Sequence, residues 1–160
     1  MSRIRVALVD DQEIIVRGLR MILEAEDDIE VVGTASNGQE ACHLCRAAQP
    51  DVVLMDIKMP VVNGVEATAL IKREFPGIKV LILTTFNDDE YIFEVLKEGA
   101  SGYLLKEASP NAIAEAIHAV HRGGAPIQPE VASRVVERLS SLAASAAARE
   151  PLDERVALPE

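Results

Sequence analysis

Acidic, hydroxyl and ammonium side chains stand where several short apolar runs of this sequence end. Five residues carry this chemistry: Asp10, Asp11, Asp56, Thr84 and Lys106. Carboxylates that lie close together repel one another, so each resists ionisation unless a cation compensates its charge. Lys106 supplies one positive charge, and Mg²⁺, which prefers oxygen ligands and binds carboxylates together with phosphate oxygens, suits the remainder. The pattern therefore predicts a phosphate site that is assembled by its metal.

Two kinds of reaction fit such a site. The metal can activate water for hydrolysis, or a carboxylate can attack phosphorus and form an acyl phosphate. A hydrolase also needs a positioned general base and a substrate pocket, and the candidate residues include neither a histidine nor a glycine-rich phosphate cradle. Acceptance of a phosphoryl group by an aspartate needs only in-line positioning and charge neutralisation. We therefore favour a phosphoryl-accepting aspartate and keep a small Mg²⁺-dependent phosphohydrolase as an alternative.

The candidate residues can meet if the chain folds into a parallel sheet, which the apolar pattern predicts. The predicted strands are residues 4–9, 29–35, 52–55, 80–83 and 102–105, and the predicted helices are residues 13–25, 39–48, 64–75, 88–98 and 110–122. The strands lack a strict apolar–polar alternation, as expected when both faces of a sheet are covered. Right-handed crossovers then give an open α/β sheet, in which ligands bind at the carboxyl ends of the strands.

Helix-start signals support these boundaries. They occur at three places: Ser36 with Gln39 and Asn63 with Glu66 at capping-box spacing, and Ser109 with Pro110 as N-cap and first helical residue. These signals predict where the second, third and fifth helices begin.

The chain changes character after Gly124. Val131, Val135, Leu139 and Leu142 recur at helical spacing and predict a sixth helix, whose stripe could pack back on the domain or form a dimer seam. Residues 146–160 have little to bury, which is typical of a linker or a disordered terminus. We therefore expect a domain over residues 1–124 and a linker helix with a flexible tail over residues 125–160.

Composition limits the partners and the location. The 160 residues carry a formal charge of −10, from 26 acidic and 16 basic side chains, which disfavours DNA contact by this chain alone. No apolar stretch is long enough to span a bilayer and no signal-type segment opens the chain, so we expect a cytoplasmic protein without a membrane partner.

Cys42 and Cys45 form a C-x-x-C pair in a helix, which we interpret as packing rather than redox or metal chemistry.

Four blocks of sequence resemble a known family. VALVDDQ, VVLMDIKMPVVNG, LILTTF and GASGYLLKE are similar to the signature blocks of response-regulator receiver domains, in order and at family spacing over about residues 4–122. The resemblance implies a flavodoxin-like (CheY-like) doubly wound sheet of five parallel strands in the order 2-1-3-4-5. It also implies a signalling switch rather than a turnover enzyme, one that promotes its own phosphorylation and its slow dephosphorylation.

The resemblance also implies a role for each acidic residue. Asp56 takes the phosphoryl group from a phosphohistidine on a sensor histidine kinase. Asp11 and Asp56 bind Mg²⁺ directly, together with the backbone carbonyl of Lys58, and Asp10 acts mainly through water.

The remaining roles implied by the resemblance belong to the switch. Lys106 pairs with the phosphoryl oxygens, Thr84 is the hydroxyl that reaches the phosphoryl group, and Tyr103 is the aromatic residue whose rotamer follows Thr84. The added negative charge gives Thr84 and Lys106 a new acceptor to contact, so a local change can repack the face that holds the fourth helix and fifth strand.

A finer resemblance concerns the output. TTFNDDEY and GASGYLLKE resemble the NarL/FixJ subfamily, whose receivers precede a helix-turn-helix DNA-binding domain. This implies transcription control through a domain missing from the 160 residues, and a homodimer on phosphorylation. The dimer contact could use either the first and fifth helices or the fourth helix and fifth strand. A stand-alone receiver that signals by protein contact or phosphorelay remains the alternative.

Overall fold

The computed structural model describes residues 3–85, 91–127 and 129–157, and only the backbone at residue 130 and over residues 145–157. Its centre is one sheet of five parallel strands in the order β2-β1-β3-β4-β5. The strands are β1 Ile4–Val9, β2 Ile29–Ala35, β3 Val52–Met55, β4 Lys79–Thr84 and β5 Gly102–Leu105. The doubly wound fold and the strand order implied by the family resemblance are confirmed.

Helices follow each strand in turn. They are α1 Glu13–Glu24, α2 Gly38–Ala48, α3 Gly64–Glu74, α4 Ile92–Lys97, α5 Pro110–His121 and α6 Pro129–Ala157. The predicted start of the fourth helix, over residues 88–90, lies outside the described residues. In the part of the chain that the structure describes, every helix is too short or too polar to cross a membrane.

The sheet separates two apolar cores. Successive residues of a strand point to opposite faces, so Val6 and Leu8 join the core that contains α1 and α5, whereas Ala7 and Val9 join the core on the other face. All four residues of β3 are buried. Cover on both faces explains why the strand segments are almost wholly apolar.

The start of α2 corrects a prediction. Its N-cap is Asn37, not Ser36, and the Asn37 side chain accepts a hydrogen bond of 2.8 Å from the backbone N–H of Glu40. Ser36 instead donates its hydroxyl and its backbone N–H to the Glu40 carboxylate, each at 2.9 Å. The cap shifts because Gly38 donates its N–H to the carbonyl of Val62 at 2.8 Å, which anchors the helix at Gly38.

The starts of α3 and α5 agree with the sequence. Asn63 and Glu66 form a complete capping box, with donor–acceptor distances of 3.0 and 3.3 Å. Ser109 accepts a hydrogen bond of 3.1 Å from the N–H of Ala112, with Pro110 as the first helical residue. These two predictions are confirmed.

The sixth helix is longer than its apolar stripe predicts. Helical backbone continues through Ala157, where the sequence suggested a linker or disordered terminus after residue 145. Alanine has the highest helix propensity, which favours helical backbone over the Ala-rich residues 143–148, whereas Pro151 opposes a helix and yet lies within the helical range. The division of the chain at residue 124 stays a prediction.

Candidate functional site

The backbone ladder places the site at the carboxyl edge of the sheet. The N–H of Asp10 donates to the carbonyl of Ala35, and the N–H of Asp56 donates to the carbonyl of Val9, at 3.1 and 2.9 Å. The N–H of Lys106 donates to the carbonyl of Thr84 at 2.7 Å. Asp10, Asp56 and Lys106 thus directly follow β1, β3 and β5 at the carboxyl edge of the sheet, where the strand order reverses between β1 and β3. This is where open α/β sheets bind ligands.

Three carboxylates meet there. Asp10, Asp11 and Asp56 each offer an oxygen, and these oxygens lie within 4.8 Å of one another. Asp10 and Asp56 are only 4% and 5% exposed, whereas Asp11 is open to solvent. A donor set made only of oxygen suits Mg²⁺, and the exposed side at Asp11 suits the waters that Mg²⁺ retains.

The Lys106 ammonium lies among these acceptors. Its Nζ is 2.8 Å from Asp10 Oδ2 and 3.3 Å from Asp56 Oδ2, and it donates to Gln12 Oε1 at 3.1 Å. Gln12 also donates its backbone N–H to Asp10 Oδ1 at 2.8 Å. The sequence analysis did not identify Gln12, because only the tertiary structure brings its amide to a lysine 94 residues away.

The other oxygen of Asp56 is held by neutral donors. Oδ1 accepts hydrogen bonds from the backbone N–H of Ile57 at 2.8 Å and from the hydroxyl of Thr84 at 3.2 Å. Both Asp56 oxygens therefore have donors, which fixes the orientation of the carboxylate. Thr84 is fully buried, and its hydroxyl points into the site.

Burial and like charge act against ionisation of Asp56. Burial raises the pKa of Asp56 and the Asp10 carboxylate raises it further, while Lys106 and the N–H of Ile57 offset only part of the rise. Burial alone would lower the pKa of Lys106, but the hydrogen bond to Asp10 and the nearby charge of Asp56 raise it above its usual value. The site thus holds a permanent cation and lacks enough positive charge for all its carboxylates.

A glycine supports the backbone of Asp56 from behind. Gly64 donates its N–H to the carbonyl of Ile57 at 2.7 Å, and a Cβ at Gly64 would lie only 2.1 Å from the Asp56 carbonyl oxygen. Only glycine permits this approach. The sequence analysis assigned Gly64 to the start of a helix and missed this contact, which depends on tertiary distances.

The loop between β3 and α3 forms one rim of the site. Asp11 and Lys58 both line an open pocket of about 380 Å³, together with Met59 and Asn63. The chain turns tightly at Val61, which has φ of 69°, and the N–H of Val62 donates to the carbonyl of Pro60 at 2.8 Å. The exposed Lys58 therefore lies beside Asp11 at the rim of the site, and the role of its backbone carbonyl as a metal ligand stays a prediction.

Tyr103 is the one predicted site residue that lies away from the carboxylates. It is fully buried in β5, in the core that also contains Ile82, Ile92 and Val95.

The cysteines are also remote from the site. Cys45 is buried in α2, where burial raises the pKa of its thiol to about 12, as expected for a packing role.

The fold and the site together define a doubly wound α/β domain with an acidic, lysine-paired site at the carboxyl edge of its sheet. Residues 6–118 match the family described as response regulator receiver domain. The chain belongs to the response regulator receiver family.

Several relatives are similar to this chain. It is 47% identical over 133 residues to the transcriptional regulatory protein LnrK of Bacillus subtilis (strain 168), covering 83% of this chain and 60% of LnrK. It is 42% identical over 152 residues to LiaR of the same strain, covering 95% of this chain and 72% of LiaR. The chain thus spans about 60% of the length of LnrK.

Solved structures share the fold. A LuxR-family two-component response regulator from Aurantimonas sp. SI85-9A1 superposes with a TM-score of 0.80 at 32% identity, covering 87% of this chain and 99% of that one. The response regulator ChrA of a heme-sensing two-component system superposes with a TM-score of 0.75 at 38% identity, covering 88% of this chain and 67% of ChrA. The chain is therefore a receiver of the NarL/LuxR type.

Proposed function

We propose that Asp56 accepts a phosphoryl group from a sensor histidine kinase and that this modification controls transcription. One observation carries the proposal: two buried or partly buried donors, Thr84 and Lys106, contact different oxygens of a carboxylate that lies within 4.8 Å of two others. A buried carboxylate whose charge is only partly compensated costs folding free energy, so packing alone does not account for this arrangement. It suits a residue that must hold more negative charge after a reaction than before it.

The proposed metal site consists of Asp11, Asp56 and the backbone carbonyl of Lys58, with Asp10 acting through water. When bound there, Mg²⁺ would neutralise the charge of the carboxylates and of the incoming phosphoryl oxygens. The exposure of Asp11 and the neighbouring open pocket leave room for the kinase imidazole and the phosphoryl group.

Transfer needs one bond to form and one to break. A carboxylate oxygen of Asp56 attacks phosphorus, and the N–P bond of the phosphohistidine breaks with the imidazole as leaving group. Lys106 already lies 3.3 Å from Asp56, so it can pair with the phosphoryl oxygens without a large movement. No general base is required, because the attacking group is a carboxylate.

The switch would start at Thr84. Its hydroxyl donates to Asp56 Oδ1, so a phosphoryl group on Asp56 would give it a more highly charged acceptor. Thr84 is the last residue of β4, and its neighbour in β5 is Leu105, two residues after Tyr103. We propose that Tyr103 follows Thr84 and repacks the face that contains α4 and β5.

Control of transcription would need a further domain. The acidic charge of this chain disfavours DNA, and the relatives that are named transcriptional regulatory proteins are longer. We therefore propose a cytoplasmic regulator that dimerises on phosphorylation and binds DNA through a C-terminal domain. Sequencing the gene beyond residue 160 separates this from a stand-alone receiver.

Acetyl phosphate with Mg²⁺ tests the acceptor directly. We expect stoichiometric labelling that is stable in acid and labile in base, because an acyl phosphate has this behaviour. The label should be absent without Mg²⁺ and in Asp56→Asn, while Asp51→Asn, at an aspartate outside the site, should still be labelled. Turnover of several phosphoesters without a labelled intermediate would instead indicate a phosphohydrolase.

A further inference from the structure

The segment that joins α5 to α6 extends the sheet next to Tyr103. The N–H of Tyr103 donates to the carbonyl of Pro126 at 3.0 Å, and Ile127 forms a parallel bridge with Tyr103. A Cβ at Gly102 would lie 2.6 Å from the Pro126 carbonyl oxygen, so glycine permits this approach. The chain that leaves the receiver is thus bonded to the backbone of the proposed switch residue.

The first two turns of α6 then pack over the same place. Val131 is fully buried and Val135 packs partly buried, both in the core that contains Tyr103. Within the described residues, α6 contacts α4 and β5. We call Pro126, Ile127, Val131 and Val135 the linker contact.

Beyond the linker contact the helix leaves the domain. Val136, Leu139 and Leu142 are 60%, 49% and 43% exposed. The free energy that holds α6 to the receiver therefore comes from a small apolar area near Tyr103. Such a contact is weak enough for a change in the packing of Tyr103 to alter it.

In this structure the docked linker occurs together with one arrangement of the proposed switch residues, Thr84 and Tyr103. Thr84 already donates its hydroxyl to Asp56, and Tyr103 is fully buried. We call this arrangement inward and assign it to the phosphorylated form of the switch, because a phosphoryl group on Asp56 would hold the Thr84 hydroxyl in the same direction. A docked linker and an inward switch therefore occur together.

We propose that the linker contact is phosphorylation-dependent: modification of Asp56 tightens the docking of the first two turns of α6 on β5 and α4. The proposal rests on the function proposed above and adds the route by which the signal leaves the domain. Coupling between two sites is reciprocal, so a docked linker must also strengthen binding of a phosphoryl mimic. The emerging helix would be held at a fixed angle in the active state and would be released in the inactive one.

Hydrogen exchange on the full chain tests whether modification of Asp56 tightens the docking of α6, with beryllofluoride and Mg²⁺ as the phosphoryl mimic. With the mimic bound, we expect the amide of Tyr103 and the amides of residues 131–139 to exchange more slowly by a factor of about 5 or more. Slowing at Ile57 and Thr84 serves as the control for binding. Slower exchange at the site with unchanged or faster exchange along α6 would overturn the proposal. No slowing at the site at all would count against the proposed function instead.

Substitution tests the reciprocal effect, which is that the docked linker strengthens binding of the phosphoryl mimic. Val131→Asp buries a charge in the linker contact and should undock α6, whereas Leu142→Asp makes the same change on the exposed part of the helix. We expect Val131→Asp to weaken beryllofluoride binding about 5-fold or more and Leu142→Asp to leave it unchanged. Equal affinity in a Val131→Asp protein whose circular dichroism and thermal unfolding show an intact receiver would refute the coupling.

Discussion

At the scale of single residues, the site is built from groups that are unfavourable on their own. Asp56 is buried beside Asp10, and the single ammonium of Lys106 is shared between both carboxylates and Gln12. A buried carboxylate without full compensation costs folding free energy. The same lack of positive charge makes the site suitable for a divalent cation.

Asp56 should therefore destabilise the metal-free protein at neutral pH. A carboxyl group whose pKa is raised by folding contributes stability that is complete below its unfolded pKa and is lost as pH rises through its folded pKa. Because burial and Asp10 raise the pKa of Asp56, Asp56→Asn should increase the free energy of unfolding at pH 7 in EDTA. The gain should vanish as pH falls below about 4. Urea unfolding across this pH range measures it.

The matched control is Asp27→Asn, which removes an exposed carboxylate away from the site. We expect its stability to differ little from that of the unsubstituted chain at every pH. If Asp56→Asn is no more stable than Asp27→Asn at pH 7 in EDTA, Asp56 is not the strained carboxylate that the geometry indicates.

The residues of the site were predictable to different degrees. Asp10, Asp11, Asp56, Thr84 and Lys106 were predictable, because each stands at the end of an apolar run and parallel strands bring such ends together. Gln12 and Gly64 were not. Their contacts depend on the distances between elements that are far apart in sequence, and neither residue type signals such a contact alone.

At the scale of elements, the helices are positioned by their first residues. Asn63 and Ser109 cap α3 and α5 as their sequence spacing predicts. At α2 two adjacent polar residues competed for the cap, and the anchored Gly38 decided in favour of Asn37. Sequence spacing alone does not distinguish two such neighbours. The extent of α6 was likewise underestimated, because an apolar stripe marks where a helix packs, not where it ends.

The cap of α2 gives a matched pair of substitutions. Asn37→Ala removes the acceptor for the N–H of Glu40 and should cost about 1 kcal/mol of stability. Ser36→Ala removes an exposed hydroxyl that donates to a side chain and should cost less than half of that. Chemical denaturation of the two variants measures the difference. A larger loss in Ser36→Ala would restore Ser36 as the cap.

At the scale of the whole molecule, the two cores and the sheet form a scaffold on which the site and the linker are coupled. The site lies at one edge of the sheet, and β4 and β5 join it to Tyr103 and α6. The family resemblance anticipated the strand order, and the apolar stripe of α6 allowed for packing against the domain, whereas the pairing of the linker backbone with β5 had no signal in the sequence. That pairing joins the N–H of Tyr103 to the carbonyl of Pro126, and neither residue type signals such a backbone contact.

Metal binding should be visible in global stability. A ligand at ten times its dissociation constant stabilises the folded state by about 1.4 kcal/mol. We expect Mg²⁺ to raise the melting temperature of the chain, and Asp11→Ala to lose most of this rise, since Asp11 is a proposed ligand on the exposed side of the cluster. Asp27→Ala should keep the full rise. An equal rise in both variants would mean that Mg²⁺ binds elsewhere.

The identity of the modified residue is the central claim, and chemical trapping tests it most directly. The chain is incubated with acetyl phosphate and Mg²⁺, the acyl phosphate is reduced with borohydride, and the reduced residue is located by peptide mass spectrometry. We predict that Asp56 alone is converted to homoserine and that EDTA prevents the conversion. Conversion at Asp10 or Asp11, or no conversion when Mg²⁺ and phosphodonor are in excess, would contradict the account.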